Sequence, residues 1–382
     1  MNKDLLPPAL AERVKKQEKY SDRIRGCLFG GAVGDALGYP VEFHSIDSIH
    51  AKYGSSGITE YEIDPASKVA LFSDDTQMSL FTANGLLYGK TRSLLKGVAS
   101  QPSYYVYLAY LDWLETQRGI SGDGGITWLS DIDGLYSCRA PGATCLDALA
   151  SGERGSTSNR INHSKGCGGV MRVAPVGLFM RDEDDMTVAT EGAEIAALTH
   201  SHSLGFMPAA FLAHVVKNAV MAGPEVTLGV LIENAKKTIQ VLFAQRKHLE
   251  VFINLIDKAV SLAGNGASDE ENIAMIGAGW CGDEALAIAL YCALRHEGDF
   301  TSAVISAVNH SGDSDSTGAL AGNIVGAMVG YDAIEEKWKD NLELKDTILE
   351  MADDLCYGCL VDTESGYVDE KWRDKYVREL VG

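Results

Sequence analysis

Residues 309–330 read "NHSGDSDSTGALAGNIVGAMVG". The first half is polar, with Asp313 and Asp315 one residue apart among Ser and Gly. The second half is apolar and glycine-rich. The pattern predicts a buried helix that opens on an acidic turn. Gly318, Gly322, Gly326 and Gly330 recur every four residues, so they share one ridge of that helix. A helical glycine costs roughly 0.8–1 kcal/mol against alanine. A whole ridge of them points to another helix backbone packed close against it. The stretch therefore predicts close helix-on-helix packing, and with few credible strands elsewhere the fold reads as mostly α.

A second stretch has the same grammar. "FSDDTQM", 72–78, sets Ser73, Asp74 and Asp75 at the start of an apolar helix, as Asp313, Asp315 and Ser316 are set. Hard cations such as Mg²⁺, Mn²⁺ or Ca²⁺ take oxygen ligands of this kind. Two such clusters together could hold two ions roughly 3.5–4 Å apart, an arrangement used for hydrolysis. Helix capping is the competing explanation, because Asp and Ser are preferred N-caps and acids suit the positive end of the dipole. A cap needs one carboxylate, so the second in each cluster is left over.

Working outward, helical spacing covers 22–38, 104–117, 187–200, 203–222, 226–246, 249–264, 282–296, 300–309, 315–330, 332–339 and 343–357, and the segment after Ser73. Asp22 is the expected cap of the first of these, with Gly38 and Pro40 its stop. "GITEYEID", 57–64, is the best candidate for a minor strand. Residues 118–168 are dense in Gly, Ser and Asp, with a short helix expected at "TCLDALASG", 144–152. Long irregular stretches of this type are often functional. Residues 1–21 form a charged arm, mobile or separately docking, ahead of one domain over 22–382.

The net charge of −20 excludes nucleic acid and anionic membrane surfaces as expected partners, since both need basic patches. No apolar run reads as the ~20 residues of a membrane span, and the N-terminus lacks a signal-peptide stretch. A cytoplasmic protein is expected. The eight cysteines are too scattered for a disulfide scaffold. "CYGC", 356–359, has no second pair with which to build a zinc site, and reads as reduced thiols on a packed helix.

"HSKGCGGVMR", 163–172, is a glycine loop leading into a helix. Such a loop can present N–H groups to a phosphate or diphosphate, or simply make a turn. It matches neither a P-loop nor a dinucleotide fingerprint. His200, in "LTHSHS", lies at a helix junction and is the best candidate for an imidazole that touches substrate. Asp35, in "GDALG", and Glu42, in "GYPVEFHS", add acids near helix ends.

The motifs "RIRGCLFGGAVGDALGYPVEF", "FSDDTQM", "KGCGGVMRVAPVGL", "LTHSHS", "GWCGDEALAIALYCAL" and "NHSGDSDSTGALAGNIVGA", in that order over about residues 22–335, resemble the ADP-ribosylglycohydrolase family. The resemblance implies an all-α fold with a binuclear Mg²⁺ or Mn²⁺ site between helices. It implies Ser73, Asp74, Asp75, Asp313, Asp315 and Ser316 as ligands. Glu42 matches an acid at the metal site or substrate. Gly166, Cys167, Gly168 and Gly169 match the diphosphate segment, and His200 a residue near the ribose; Asp35 is placed with this substrate-binding set. Asp147, in "TCLDAL", resembles an acid that opens the ribose ring. Asp313 and Asp75 are the candidate general bases. The implied substrate is an ADP-ribosylated protein and the product ADP-ribose. The N-glycosidic bond to arginine is the first expectation and the O-glycosidic bond to serine the alternative. Neutralisation of an ADP-ribosyltransferase toxin by contact is a rival role.

Overall fold

The computed structural model describes residues 6–98, 101–120 and 125–377. The glycine ridge finds its partner in the helix Ser21–Gly38, which runs antiparallel to Ser314–Val329. The partner has the same four-residue spacing. Gly26, Gly30 and Gly34 face Gly326, Gly322 and Gly318, and a Cβ on any of them would overlap the carbonyl oxygen opposite. At the end of the seam Gly38 meets the Ser314 carbonyl. Gly330 lies beyond the helix, where its φ of +87° ends it.

This seam positions the site. The C-terminal end of one helix, with the turn Tyr39–Val41 and Glu42 after it, is set beside the N-terminal end of the other, where Asp313 and Asp315 sit. The acidic helix Asp74–Lys96 packs on Pro102–Gln117, and Ser203–Met221 and Gly282–Arg295 fill the core. By length and a mean hydropathy of 1.3, Ser203–Met221 would suffice to cross a membrane, which corrects the expectation from sequence. It is a core helix, with 83% of its apolar window buried.

Several boundaries differ from those predicted. No strand forms at 57–64; a turn from Asp64 to Val69 leaves one isolated bridge, Ile63 to Ala70. The two-stranded sheet instead pairs Val361–Asp362 with Tyr367–Val368, too short to show period-two alternation. The helix expected at 332–339 shrinks to Glu336–Lys339, and that at 226–246 to Leu228–Leu242. Asp22 is not the cap: the helix begins at Ser21, and the Asp22 carboxylate accepts the Asp332 N–H across the fold at 2.9 Å. Within the arm, Pro8–Gln17 is a helix docked through Leu10 and Val14 on Lys345–Tyr357. The first five residues lie outside the described residues. Cys356 and Cys359 are free, buried thiols.

Candidate active site

Ser73 is the N-cap of Asp74–Lys96, its hydroxyl accepting the Asp75 N–H at 3.2 Å. Beneath it lies Asp35, wholly buried. One Asp35 oxygen accepts the Ser73 N–H at 2.9 Å. The other accepts the Thr76 N–H at 2.9 Å and the Thr76 hydroxyl at 2.5 Å. Asp35 thus clamps the turn from below. From above, the irregular stretch closes in: Asp74 donates its N–H to the Arg139 carbonyl at 3.2 Å and accepts the Gly142 N–H at 3.2 Å. Arg139 is itself anchored by a bidentate ion pair with Glu343.

Asp313 caps Ser314–Val329, and the Ser316 N–H donates to both Asp313 and Asp315, at 3.3 and 2.9 Å. Behind this turn His310 bonds Thr317 at 2.9 Å. His310 is buried, its pKa held down to about 4 by that burial, and serves the turn rather than the cavity.

The two turns open on one cavity of about 310 Å³. Glu42, Asp74, Asp75, Asp313 and Asp315 line it together with Ser316, Gly166, Cys167, Gly168 and His200. Among the described residues no lysine or arginine lines it. Burial and mutual repulsion therefore push the carboxyls up: Glu42 to about 10, and Asp74, Asp75 and Asp313 well above the usual range, with Asp315 as the chief repelling neighbour of Glu42 and Asp75. Asp75 is 3% exposed, and its Oδ2 has no hydrogen-bond partner. A buried charge without a partner is costly, so this donor set fits hard cations. Among the described residues no three His, Cys, Asp or Glu side chains are already gathered round one point. Asp313 is tied to Cys167 and Ser316, and Asp74 to Gly142, so ion entry would exchange these bonds.

His200 closes the opposite wall. Burial, with Arg172 nearby, holds its pKa down to about 3, so the imidazole is neutral. Nδ1 pairs with the Thr199 hydroxyl at 2.8 Å. Its ring explains the glycine loop: a Cβ on Gly168 would lie 3.0 Å from His200 Cε1 and 3.1 Å from Cys145 Sγ.

Some predicted residues fall outside the cavity. Asp147 is exposed on Ala143–Ala150, one turn beyond Thr144, which does line it. Gly169 sits behind the loop against the Gly205 carbonyl. Ser73 and Asp35 support the floor without lining it. Three residues were missed from sequence. Trp280 and Phe43 line the cavity, 40% and 70% exposed, with rings stacked 5.2 Å apart. Arg172 is fully buried, its cation 4.5 Å from the Tyr110 ring centroid, and it donates to the Thr199 hydroxyl that holds His200. Two local signals exist in the sequence: Arg172 is a charge inside an apolar run, and Trp280 follows Gly279.

A family model described as ADP-ribosylglycohydrolase matches residues 16–364. The chain belongs to the ADP-ribosylglycohydrolase family. It is similar to ADP-ribosylhydrolase ARH3 of Mus musculus, at 26% identity over 348 residues, covering 84% of this chain and 87% of that one. It is also similar to ADP-ribosylarginine hydrolase Tri1 of Serratia proteamaculans, at 23% identity over 339 residues, covering 88% and 79%. A solved structure described as an ADP-ribosylglycohydrolase-related protein complex shares the fold, with a TM-score of 0.57 and 22% identity over 89% of this chain and 98% of that one. This glycohydrolase is thus a glycosidase, and ADP-ribosylated substrates and free ADP-ribose are the reactant and product its family implies.

Proposed function

We propose that this glycohydrolase removes ADP-ribose from protein side chains at a centre that takes two divalent cations, Mg²⁺ or Mn²⁺, and that it prefers the N-glycosidic bond to arginine. One observation carries the reading. Carboxyls from three separate stretches of chain line one cavity in which, among the described residues, no lysine or arginine faces them, so protons or cations are needed to balance them.

Asp74, Asp75, Asp313, Asp315 and the Ser316 hydroxyl would hold the ions. When bound, such ions orient hydroxyls and lower the pKa of water. The chain's own residues do the rest. The free Oδ2 of Asp75 can accept a proton from attacking water. Gly166 and Gly168, lacking Cβ atoms, bring backbone close enough for a diphosphate. Trp280 and Phe43 offer aromatic faces to the base. Neutral His200 adds no charge beside the ribose. Glu42 and its neighbours suit a cationic guanidinium leaving group, and the likeness to a hydrolase named for ADP-ribosylarginine supports that choice.

The test is a panel of arginine- and serine-ADP-ribosylated peptides with EDTA, Mg²⁺ or Mn²⁺, read by mass spectrometry. Metal-dependent release from arginine is expected. Faster release from serine overturns the linkage, and no release from either overturns the reading in favour of a contact role.

A further inference from the structure

We propose that Cys167 is an additional donor to the metal centre, a sulfur ligand that lets the site take thiophilic divalent ions as well as hard ones. The inference rests on the two-cation reading above and adds a residue to it.

Three observations place the thiol among the ligands. Its S–H donates to Asp313 Oδ2 at 2.8 Å. Asp75 and Ser316 line the same cavity as the thiol. Asp75, in turn, is the side chain whose buried Oδ2 has no partner on this cavity. Cys167 therefore touches or faces three residues of the oxygen ligand set. Its backbone is also fixed. The Cys167 N–H donates to the Trp280 carbonyl at 3.1 Å, and Gly166 pairs with Cys281 alongside. These links set the position of the Cys167 backbone against the Trp280–Cys281 segment. A Cβ on the next residue, Gly168, would press on the His200 ring at 3.0 Å.

The other cysteines differ. Cys145 lines the same cavity, but its sulfur faces the buried Arg172 guanidinium, with Nη1 at 3.4 Å, a cation that a metal would have to displace. Cys281 is partly exposed, does not line the cavity, and lies near Glu284, Lys165 and Asp283 instead of the cavity carboxylates.

The chemistry is simple substitution. On ion entry the S–H bond breaks, the proton passes to solvent, and the sulfur electron pair is donated to the ion. A coordinated thiol is deprotonated outright. Thiolate favours Zn²⁺, Co²⁺ and Cd²⁺ over Mg²⁺ far more strongly than carboxylate and hydroxyl do. One soft donor in an otherwise oxygen-lined site would widen the range of ions it binds.

The experiment strips the full chain with EDTA and titrates it with CoCl₂ without air. The near-ultraviolet thiolate-to-cobalt charge-transfer band and the thermal midpoint are both recorded, and Mg²⁺ and Cd²⁺ are titrated in parallel. The band is expected in the wild type and in Cys281→Ser, and absent in Cys167→Ser. Cd²⁺ affinity should fall about tenfold or more in Cys167→Ser, on the scale of losing a metal-site partner. The Mg²⁺ response should be unchanged, which also shows that the variant is folded. Cobalt that raises the midpoint without the band, or a band that survives Cys167→Ser, overturns the role of Cys167 and leaves the two-cation reading standing. No shift with any divalent ion overturns both.

Discussion

Asp269 and Asp75 each stand at the start of a helix, one near the surface and the other inside the fold. Asp269 accepts the Tyr291 hydroxyl at 2.6 Å and faces His296 Nε2 at 2.8 Å, with Arg295 at 3.6 Å. Against the partial burial that would raise its pKa, these bonds hold it well below the usual carboxylate range. Asp75 is instead buried, with Asp315, Asp35, Asp74 and Asp313 around it, and its pKa goes the other way. The same side chain is satisfied within the fold in one place and left for an external cation in the other. Charged groups that serve folding alone are mostly satisfied within the fold, as Asp269 is. The cavity carboxyls oppose the fold that holds them, as binding and catalytic groups tend to do.

The sharpest way to break this contrast is to neutralise one member of each group. Asp313→Asn keeps the helix cap and removes the charge. Hydrolysis should fall about 10³-fold, the scale of several kcal/mol of lost transition-state stabilisation. The thermal midpoint in EDTA should hold or rise. Asp269→Asn should do the reverse: hydrolysis persists, and stability drops by about 1–3 kcal/mol because a charge-assisted acceptor is lost. Single-turnover kinetics and thermal melts in EDTA check both. If Asp313→Asn melts early, as Asp269→Asn does, the cavity carboxyls are structural after all.

A smaller effect is expected at Asp35, which belongs to both kinds. It is buried among acids, yet fully bonded to Ser73 and Thr76. Asp35→Asn should lower kcat and Mn²⁺ affinity about 10–100-fold, as for groups that orient ligands without touching the ion. Wild-type Mn²⁺ binding in this variant, measured by calorimetry, would make the clamp irrelevant.

What the sequence disclosed follows the same division. Local patterns were readable: the acidic turns, the helices they begin, and the glycine ridge, because caps and four-residue spacing are written within a few positions. The partner of the ridge carries its own spacing at Gly26, Gly30, Gly34 and Gly38, yet only the packed structure joins positions nearly three hundred residues apart. Asp35 was assigned to the substrate because charge alone does not say whether an acid faces a cavity or its own helix turn. Asp147 follows from the resemblance of "TCLDAL", but on Ala143–Ala150 it is exposed, and Thr144 and Cys145 of the same helix line the cavity. Trp280 and Phe43 escaped notice because their stacking depends on where Glu42 and the Gly279 turn meet.

The smallest expected effect is on the pH dependence of stability, and here the two centres differ in sign. Glu42 is pushed up to about 10 and Asp35 to about 7, from ordinary values of 4.5 and 3.8. As pH rises, the unfolded chain ionises first while the metal-free fold still holds its protons. The fold is therefore favoured below the ordinary values and loses that advantage as pH climbs toward the folded ones. Asp269, with a lowered value, contributes stability above its ordinary value and loses it only in acid. His200, His202, His214 and His310 are all lowered, so they penalise the fold as pH falls through about 6.5 and drop out above about pH 7. Buried thiols enter only above about pH 8.5. Between about pH 7 and 8.5 the cavity carboxyls are thus left to act. In EDTA the wild-type midpoint should fall by about a few degrees across this window, and Glu42→Gln should fall less. Saturating Mn²⁺ should flatten the wild-type slope, because the ion binds the deprotonated cavity and replaces the protons it sheds. Equal slopes for wild type and Glu42→Gln would place the titration elsewhere and remove the claim that this cavity holds repulsion for a cation to relieve.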